Sequence, residues 1–377
     1  MSFVLSEEQE SIRKTAKSFI AERAPVEHFR ALRDAGDKTG FSREVWKEMA
    51  SLGLAGMAIP EAYGGAGLGF AELGLVLTEC GRTLAPLPLV STIVLGASAI
   101  LLGGDDDQKR AILPAICAGE KLVALAHDEG SRFAPYQVAT RAEPQGDEYR
   151  LTGAKSYVID GHVADDLVVV ARTSGAPGDR EGLTLFVVPA NAPGVSVTRL
   201  SVVDSRGAAR IRFDGTPARI MLGAKGAASD ILDAVFLRGA IALSAEMLGG
   251  IEEVFERTIA YLKTRKQFGV PIGSFQALKH RAAHLFCEVE LSKSIVMDAL
   301  HAIDAARSDL AVVASVAKAR TSDTFIAVTN EAVQMHGGVG VTDELDIGLF
   351  MKRARVTEMT FGTAAYHRDR FARLHGY

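Results

Sequence analysis

The spacing of apolar residues changes twice along this chain, from a helical period to short strand-like runs and back again. From Ser6 to about Gly119, apolar residues recur with helical spacing and are interrupted by turn-rich stretches. From Lys121, short runs rich in β-branched residues alternate with turn residues, which is typical of strands. After Gly223, long helical patterns with little proline follow. Few folds place a β domain between two helical ones, so this order restricts the architecture strongly.

These patterns predict an α+β multidomain chain. We expect a helical N-terminal domain in residues 1–120, a middle antiparallel β-barrel or sandwich in residues 121–222, and a C-terminal four-helix bundle in residues 223–377. The predicted strands are Leu122–Ala126, Tyr149–Leu151, Leu167–Ala171, Leu183–Val188, Val195–Leu200 and Ala209–Phe213. The predicted long helices are Ala227–Thr264, Phe275–Ala305, Ser308–His336 and Leu345–Arg373.

Charge and composition exclude some kinds of partner. The 377 residues include 42 Lys and Arg against 46 Asp and Glu, which gives a net charge of −4. Because no excess of positive charge is present, we expect no nucleic acid partner. A hydrophobic fraction of 48% lies at the apolar end of the range for globular chains and predicts that other subunits cover part of the surface.

The N-terminus and the cysteines indicate the compartment. The opening sequence MSFVLSEEQE carries Glu7 and Glu8 where a signal peptide is positively charged, so we expect a cytoplasmic protein. Cys80, Cys117 and Cys287 are odd in number and lie within apolar patterns. They are therefore predicted to be buried thiols rather than disulfides.

One uncharged segment, Leu84–Gly104, is close to the length of a membrane-spanning helix. It contains Pro86 and Pro88, and it lacks both flanking basic clusters and an aromatic belt. We therefore interpret it as a buried core helix and expect no membrane span.

Several weaker patterns do not predict a site. His280 and His284 share a helix face at i and i+4, but they lack the acid and third ligand of a zinc site, so we expect no metal. The glycine-rich run Gly65–Phe70 narrowly misses a dinucleotide fingerprint and follows no βαβ unit. The run Asp105-Asp106-Asp107 is interpreted as a loop and helix N-cap before Gln108–Cys117 rather than as a metal site.

Three motifs in the last segment combine with one near the front. They are Arg265-Lys266-Gln267-Phe268-Gly269, Phe275-Gln276, Gln334-Met335-His336-Gly337-Gly338-Val339-Gly340 and Pro60-Glu61-Ala62-Tyr63-Gly64-Gly65. A guanidinium where a long helix ends suits bidentate binding of a pyrophosphate, although a cation there also serves the helix dipole. The glycine pair admits a ligand or another backbone, although it also fits a plain helix C-cap.

In this combination the chain resembles the acyl-CoA dehydrogenase flavoprotein family over nearly its whole length. The resemblance implies FAD as cofactor, an acyl-CoA substrate oxidised to a trans-2-enoyl-CoA, a tetramer, and electron-transfer flavoprotein or a similar acceptor. It also implies that Arg265 and Gln276 of one subunit and Gln334, Gly337 and Gly338 of its neighbour bind FAD together. Phe268 and Thr363 are further cofactor-binding residues on the same basis.

The middle segment departs from the family pattern. Where relatives have a Thr-Glu-Pro-Gly-x-Gly-Ser-Asp loop, this chain reads Ala126-His127-Asp128-Glu129-Gly130-Ser131-Arg132-Phe133-Ala134. The flavin-facing Trp-Ile-Thr of relatives reads Tyr157-Val158-Ile159. Tyr157 and Ile159 thus keep the flavin-facing positions but lose a hydroxyl, and on the residues alone they also fit plain strand alternation.

The catalytic base of the family is absent. Such a reaction needs a carboxylate that takes the α proton. The usual base position is Phe361 in this chain, and the family's second known position is Gly239. Glu246, an acid within the apolar run Ala242–Leu248, is a weak candidate for a displaced base, and structural pairing is its other interpretation. Glu358 fits a solvated ion pair better.

Three functions remain open from the sequence. The first is a homotetrameric dehydrogenase with a displaced base, and the second is a non-catalytic flavin-binding partner subunit of a heterotetramer in which a related chain supplies the Glu. The third is a flavin oxidase or monooxygenase on the same fold, which the altered middle loop suggests.

Overall fold

A computed structural model describes residues 5–377, so the first four residues of the acidic N-terminal stretch lie outside the described part. The α-helices are α1 Glu7–Arg23, α2 Val26–Asp34, α3 Arg43–Ser51, α4 Phe70–Thr83, α5 Ser98–Gly103, α6 Asp106–Cys117, α7 Ser229–Thr264, α8 Gln276–Asp304, α9 Leu310–His336, α10 Ile347–Met359 and α11 Ala364–Leu374. The strands are β1 Val123–Ala126, β2 Arg141–Gln145, β3 Glu148–Ile159, β4 Asp166–Arg172, β5 Leu183–Pro189, β6 Val195–Arg199, β7 Ala208–Ala218, β8 Ile220–Leu222, β9 Lys266–Gln267 and β10 Val270–Pro271. The order of helical, β and helical segments confirms the predicted fold class.

The chain divides into two compact units. The helical unit contains the described residues up to Ala31, Phe70–Ala85 and Ala240–Tyr377. The sheet unit contains Leu32–Gly69 and Pro86–Gly239. Each unit therefore draws on more than one of the three sequence segments. The boundaries at residues 120 and 222 remain a prediction.

The helical unit is built around α9, which packs against α8, α10 and α11. A close helix crossing joins α4 to α7, because a Cβ at Gly81 would collide with the Glu246 carbonyl and a Cβ at Gly249 with the Thr78 carbonyl. The two backbones approach each other where glycine leaves room. The N-terminus of α4 is capped by Asp304, whose carboxylate accepts hydrogen bonds from the amides of Phe70 and Ala71 at 2.7 and 2.9 Å.

The sheet unit contains one eight-stranded sheet. Its order is β6-β7-β3-β2-β4-β5-β8, and β1 pairs with β4 beside this path. Most pairs are antiparallel, as predicted, but β1 and β4 are parallel and β2 meets β4 in a parallel register. The connection from β1 passes through the β2–β3 hairpin before β4, so β4 runs in the direction of β1. The core contains fully buried Leu151, Phe186 and Phe213.

Four strands were not predicted: β2 and β8 of the sheet unit, and the short pair β9 and β10 that follows α7. Strand β2 reads Arg-Ala-Glu-Pro-Gln with only Ala142 buried, so it lacks the apolar alternation that identifies a strand. Strand β8 is only three residues long. The predicted Tyr149–Leu151 is part of the twelve-residue β3, whose register shifts near Leu151 and Lys155 hide its alternation.

The uncharged segment Leu84–Gly104 is a helix for only part of its length. A π-helix spans Leu89–Ala97 and continues into α5, and its start after Pro88 fits the inability of proline to donate a backbone hydrogen bond. Every residue from 89 to 100 is buried, which agrees with a core helix. Within the described residues, no helix is both long and apolar enough to cross a membrane.

Two further predictions are corrected. The predicted helix Leu345–Arg373 is two helices, α10 and α11, separated by the residues Thr360, Phe361, Gly362 and Thr363, called here the 360–363 loop. Phe361 and Gly362 have φ values of 58° and 100°, which end a right-handed helix. Cys80 and Cys117 are buried free thiols, but Cys287 is exposed because it lies on the outer face of α8.

The N-cap predicted within Asp105-Asp106-Asp107 is Asp105, and α6 begins at Asp106, two residues earlier than predicted. The Asp105 carboxylate accepts a hydrogen bond from the backbone amide of Gln108 at 2.8 Å, and the Gln108 side chain accepts one from the Asp105 amide at 3.1 Å. This reciprocal pair is a capping box, which accounts for the acidic run without a metal.

Candidate functional site

Arg265 begins a short exposed hairpin at the end of α7. Strands β9 and β10 pair antiparallel, and Phe268 and Gly269 form the tip with φ values of 53° and 82°. The Phe268 side chain is 92% exposed and its ring lies 6.0 Å from that of Phe275, edge to face. The Arg265 guanidinium is exposed and has no hydrogen-bond or ion-pair partner in the described part of the chain.

The glycine pair follows the end of α9. Gly337 has a φ of 66° and its amide donates to the Gln334 carbonyl, so it caps the helix. A Cβ built on Gly337 or Gly338 would meet no atom within 4 Å. Contacts within the chain therefore do not require the second glycine, and open space lies in front of both residues.

A ring contact places the two motifs at the same end of the helical unit. The Tyr261 ring, one turn before Arg265, stacks on that of His336 with 4.3 Å between centroids. The Tyr261 hydroxyl donates to the His336 carbonyl at 3.3 Å. Arg265, Gln276, Gln334 and the glycine pair are thus exposed on neighbouring segments of one chain.

These residues fit a dinucleotide chemically. A free guanidinium suits a pyrophosphate, exposed glutamine amides at positions 276 and 334 can donate and accept, and the space over Gly338 admits a ligand or a second chain. Gln276 is the first residue of α8, where backbone amides of a helix N-terminus also face outward. FAD therefore has a suitable set of groups at this end of the helical unit.

No free carboxylate occupies the two expected base positions. Phe361 is 7% exposed and lies in the 360–363 loop, and Gly239 is buried within α7. Glu246 is also buried, but its carboxylate accepts a hydrogen bond from the Arg353 guanidinium at 3.0 Å. Glu358 lies 3.8 Å from Arg355 at the surface. Every carboxylate named as a base candidate thus has a cation beside it.

Two buried residues that the sequence did not indicate hold the backbone of the 360–363 loop. Lys318 of α9 is fully buried, and its ammonium donates to the carbonyls of Glu358 and Gly362, both at 3.0 Å. His367 of α11 donates through Nε2 to the Phe361 carbonyl at 2.9 Å. A signal existed, since Lys318 is the only charged residue in the run Leu310–Ala319.

Burial lowers the pKa of both side chains strongly. It lowers the pKa of Lys318 to about 7, because an ammonium without water is costly and only Glu358 opposes the shift. Burial, together with the charge of Lys318, lowers the pKa of His367 to about 3, so this imidazole is neutral at pH 7. Its Nδ1 atom is buried and has no hydrogen-bond partner.

Thr363, which the family resemblance assigns to the cofactor, has a structural contact as well. Its hydroxyl accepts a hydrogen bond from the Tyr366 amide at 3.3 Å and so caps α11. A Cβ at Gly362 would collide with the Tyr366 ring, so this position requires glycine. Short-range contacts after Phe361 therefore add to the hydrogen bonds from Lys318 and His367 that hold the loop.

In the sheet unit, Tyr157 and Ile159 lie on β3 two residues apart, so they share one face of the strand. Ile159 is buried, whereas Tyr157 is half-buried and forms a bridge with Asp128 of the loop before β2. This register brings the altered loop alongside the strand that the resemblance assigns to the flavin.

Three polar residues of that loop, His127, Asp128 and Glu129, have partners within the sheet unit. His127 is buried, with its Nδ1 3.0 Å from the Asp128 carboxylate and its Nε2 2.8 Å from the Pro135 carbonyl. Glu129 pairs with the fully buried Lys155 at 2.6 Å. Burial acts to raise the pKa of Glu129, but Lys155 and the hydrogen bonds from Thr140 and Ala139 outweigh it, so the pKa is lowered.

His280 and His284 are both exposed on α8. Across residues 5–377, no group of three or more His, Cys, Asp or Glu side chains is arranged to hold a metal ion. The two histidines therefore add no ligand set to the site.

The sequence matches three family models that together cover most of the chain. They are the N-terminal, middle and C-terminal domains of acyl-CoA dehydrogenase, matched at residues 6–120, 126–216 and 229–375. A similar protein is the acyl-CoA dehydrogenase FadE12 of Mycobacterium tuberculosis, which is 32% identical over 370 residues, covering 95% of this chain and 93% of the relative.

Two similar solved structures carry names that join two proteins. A variant of the Tcur3481-Tcur3483 steroid ACAD is 32% identical with a TM-score of 0.87, covering 98% of this chain and 97% of that one. The ChsE4-ChsE5 complex from Mycobacterium tuberculosis contains a chain 27% identical with a TM-score of 0.90, and both chains are covered completely, at 100%.

The chain belongs to the acyl-CoA dehydrogenase family. It is an FAD-dependent oxidoreductase with acyl-CoA dehydrogenase activity, which confirms the predicted enzyme class and cofactor. The positions of the individual site residues and the composition of the assembly remain proposals.

Proposed function

We propose that this chain dehydrogenates an acyl-CoA thioester between its α and β carbons as one subunit of a mixed assembly, in which a related chain supplies the carboxylate base. The single observation that carries the proposal is the identity of the residues at the two base positions of the family. Phe361 and Gly239 cannot accept a proton, and the nearby Glu246 is buried in an ion pair with Arg353.

The reaction removes a proton from the α carbon and a hydride from the β carbon. FAD, when bound, supplies the hydride acceptor. The proton needs a carboxylate, and none of the candidates in this chain is free. Two of the similar structures carry names that join two proteins, Tcur3481-Tcur3483 and ChsE4-ChsE5, which supports a paired assembly for this chain as well.

The cofactor contacts follow the exposed motifs of the helical unit. We propose that Arg265, Phe268 and Gln276 of one subunit and Gln334, Gly337 and Gly338 of its neighbour hold FAD. The free guanidinium and the open space over the glycine pair support this arrangement. Tyr157, Ile159 and Thr363 are assigned to the cofactor by the family resemblance.

The test compares this chain alone with the chain co-expressed with a related chain that carries Glu-Gly-Thr at the base position. We expect the co-purified pair to contain FAD that bleaches when an acyl-CoA is added without oxygen. The chain alone should contain little FAD or FAD that does not bleach. Rapid turnover by the chain alone would overturn the proposal and favour a homotetramer with a displaced base.

The electron acceptor and the compartment follow from the family and the sequence. We propose electron-transfer flavoprotein or a similar carrier as acceptor and a cytoplasmic location. If the flavin were instead reoxidised at full rate by oxygen without any CoA ester, the oxidase or monooxygenase interpretation would replace the dehydrogenase.

A further inference from the structure

The 360–363 loop is fixed by two donors that reach its backbone from different helices. Lys318 of α9 binds the Gly362 carbonyl and also the Glu358 carbonyl at the end of α10, and His367 of α11 binds the Phe361 carbonyl. Two successive carbonyls of the loop are thus held, and α10 and α11 are tied together through the loop. The φ value of 58° at Phe361 is maintained by these contacts rather than by the residue itself.

The hydrogen bonds from Lys318 and His367 reach the backbone of the loop. Both bonds end on backbone carbonyls, which every amino acid provides. Gly362, which the Tyr366 ring requires, and the Thr363 cap of α11 also act independently of the residue at 361. These hydrogen bonds can therefore form with any residue at position 361.

The Lys318 contacts are satisfied in either protonation state. An ammonium has three N–H donors, which match the carbonyls of Glu358 and Gly362 and the Ser322 hydroxyl at 3.1 Å. A neutral amine keeps two donors for the carbonyls and can accept a hydrogen bond from Ser322. The charged group that acts on Lys318 is Glu358 on α10. Arg370 on α11 acts on His367, and its guanidinium donates to the Ala311 carbonyl and the Ser315 hydroxyl.

We propose that Lys318 and His367 are positioning residues that preserve the base site of the family at position 361 although the base itself is missing, so that a carboxylate placed there is held ready for the α proton. This inference rests on the proposed function, in which position 361 is the vacant base position. It explains why a chain with Phe361 keeps a buried Lys and His directed at the backbone beside it.

The first experiment tests whether the hydrogen bonds from Lys318 and His367, called here the anchor, hold the 360–363 loop. It does not depend on activity. Hydrogen–deuterium exchange is measured on peptides spanning residues 359–366 in His367→Gln and His367→Asn. The amide nitrogen of Gln can take the place of Nε2 and keep the bond to the Phe361 carbonyl, whereas that of Asn corresponds to Nδ1 and cannot reach it. We expect about tenfold faster exchange in His367→Asn and near wild-type exchange in His367→Gln.

Lys318→Met should accelerate exchange in the same peptides, and Thr321→Val is its control. Thr321 is also fully buried on α9, but its hydroxyl bonds only to its own helix. If Lys318→Met fails to fold, the comparison of His367→Gln with His367→Asn still tests the anchor. Equal exchange in His367→Gln and His367→Asn would overturn the anchor, whatever the enzyme assays show.

The second experiment adds the base. Phe361→Glu should leave exchange in residues 359–366 unchanged. After reconstitution with FAD, and without a related chain, it should also let the chain reduce the bound FAD with an acyl-CoA. Adding His367→Asn should lower kcat with little change in KM, and adding His367→Gln should restore kcat. If Phe361→Glu leaves the loop unchanged but does not let acyl-CoA reduce the FAD, position 361 is not a base site, and the proposed function is overturned. The anchoring of the loop by Lys318 and His367 would not be affected by that result.

Discussion

The Glu246 carboxylate and the Arg353 guanidinium form an ion pair of 3.0 Å that joins α7 to α10 inside the helical unit, with both side chains less than a tenth exposed. The Arg353 guanidinium also lies 5.9 Å over the ring of Phe29. An acid in an apolar helix face must be paired, neutral or functional, and here the pairing is visible. Glu246 is therefore a structural group of the bundle.

Removing the Glu246 carboxylate should destabilise the helical unit. Glu246→Ala leaves a buried guanidinium without its carboxylate, which typically costs about 3–5 kcal/mol. The combined change Glu246→Leu with Arg353→Met should cost less than Glu246→Ala alone, because no charge is left buried. Denaturant unfolding measures both. A loss below about 1 kcal/mol in Glu246→Ala would contradict the structural role.

Glu246→Gln separates the structural role from catalysis. The amide keeps the size of the side chain and an oxygen that accepts from Arg353, so the unit should fold and the mixed assembly should turn over at the unchanged rate. A base in this position would instead lose about two to four orders of magnitude in kcat on losing its carboxylate. Turnover of the assembled enzyme is the measurement.

The helix crossing at Gly249 gives a second stability prediction. Gly249→Ala should lower the melting temperature strongly, because the added Cβ would collide with the Thr78 carbonyl, which is backbone and cannot turn away. Gly348→Ala is the control, since its Cβ meets no atom within 4 Å and alanine favours a helix by about 1 kcal/mol. Equal melting temperatures for the two variants would show that α4 and α7 do not cross as described.

The pH dependence of stability should reflect His367. Its pKa is about 3 in the folded chain and 6.5 when unperturbed, so between these values the unfolded chain binds the extra proton and the folded chain does not. Its contribution is therefore complete above pH 6.5 and is lost as the pH falls toward 3, at about 1.4 kcal/mol per pH unit. In His367→Gln this part of the slope should disappear, as urea unfolding at several pH values can show. If the free energy of unfolding changes with pH in the same way in the wild type and in His367→Gln, the buried imidazole of His367 is not neutral as described.

FAD retention should depend on the planar guanidinium of Arg265, which can bind a pyrophosphate with two parallel hydrogen bonds. Arg265→Gln should weaken FAD binding by about ten- to a hundredfold, since hydrogen bonds to charged groups are the strong ones. Arg265→Lys should restore binding only in part, because a lysine cannot bind in bidentate form. Lys266→Gln removes a neighbouring exposed charge and is the control. Flavin absorbance after gel filtration measures retention, and an equal loss in Lys266→Gln would indicate a general charge effect.

Gly338→Leu should lose FAD without losing stability. Among the described residues, no atom lies within 4 Å of a Cβ at this position, so the added side chain begins in the open space. Retention of FAD by a stable Gly338→Leu protein would contradict the placement of the cofactor there.

Much of the fold was readable because long amphipathic helices and β-branched runs have distinct periods. The break between α10 and α11 was not readable, since Phe361 and Gly362 follow a helical pattern on both sides and only their positive φ values reveal the turn. Strand β2 was hidden because four of its five residues face solvent.

The exposed part of the site was predicted by its motifs, whereas its buried support was not. Arg265 and the glycine pair stand out because their types and spacing have a chemical meaning. Lys318 and His367 lie far apart in sequence and meet only through the packing of α9 against α11. Their role depends on which carbonyls they reach, and sequence spacing does not contain that information.

The most direct measurement is the anaerobic reduction of FAD by an acyl-CoA in a single turnover, with this chain as the only protein. A chain that lacks its own base should reduce the flavin at least about a hundredfold more slowly than the same chain paired with a related subunit carrying the glutamate. Reduction by the chain alone at the rate of the pair would contradict the account.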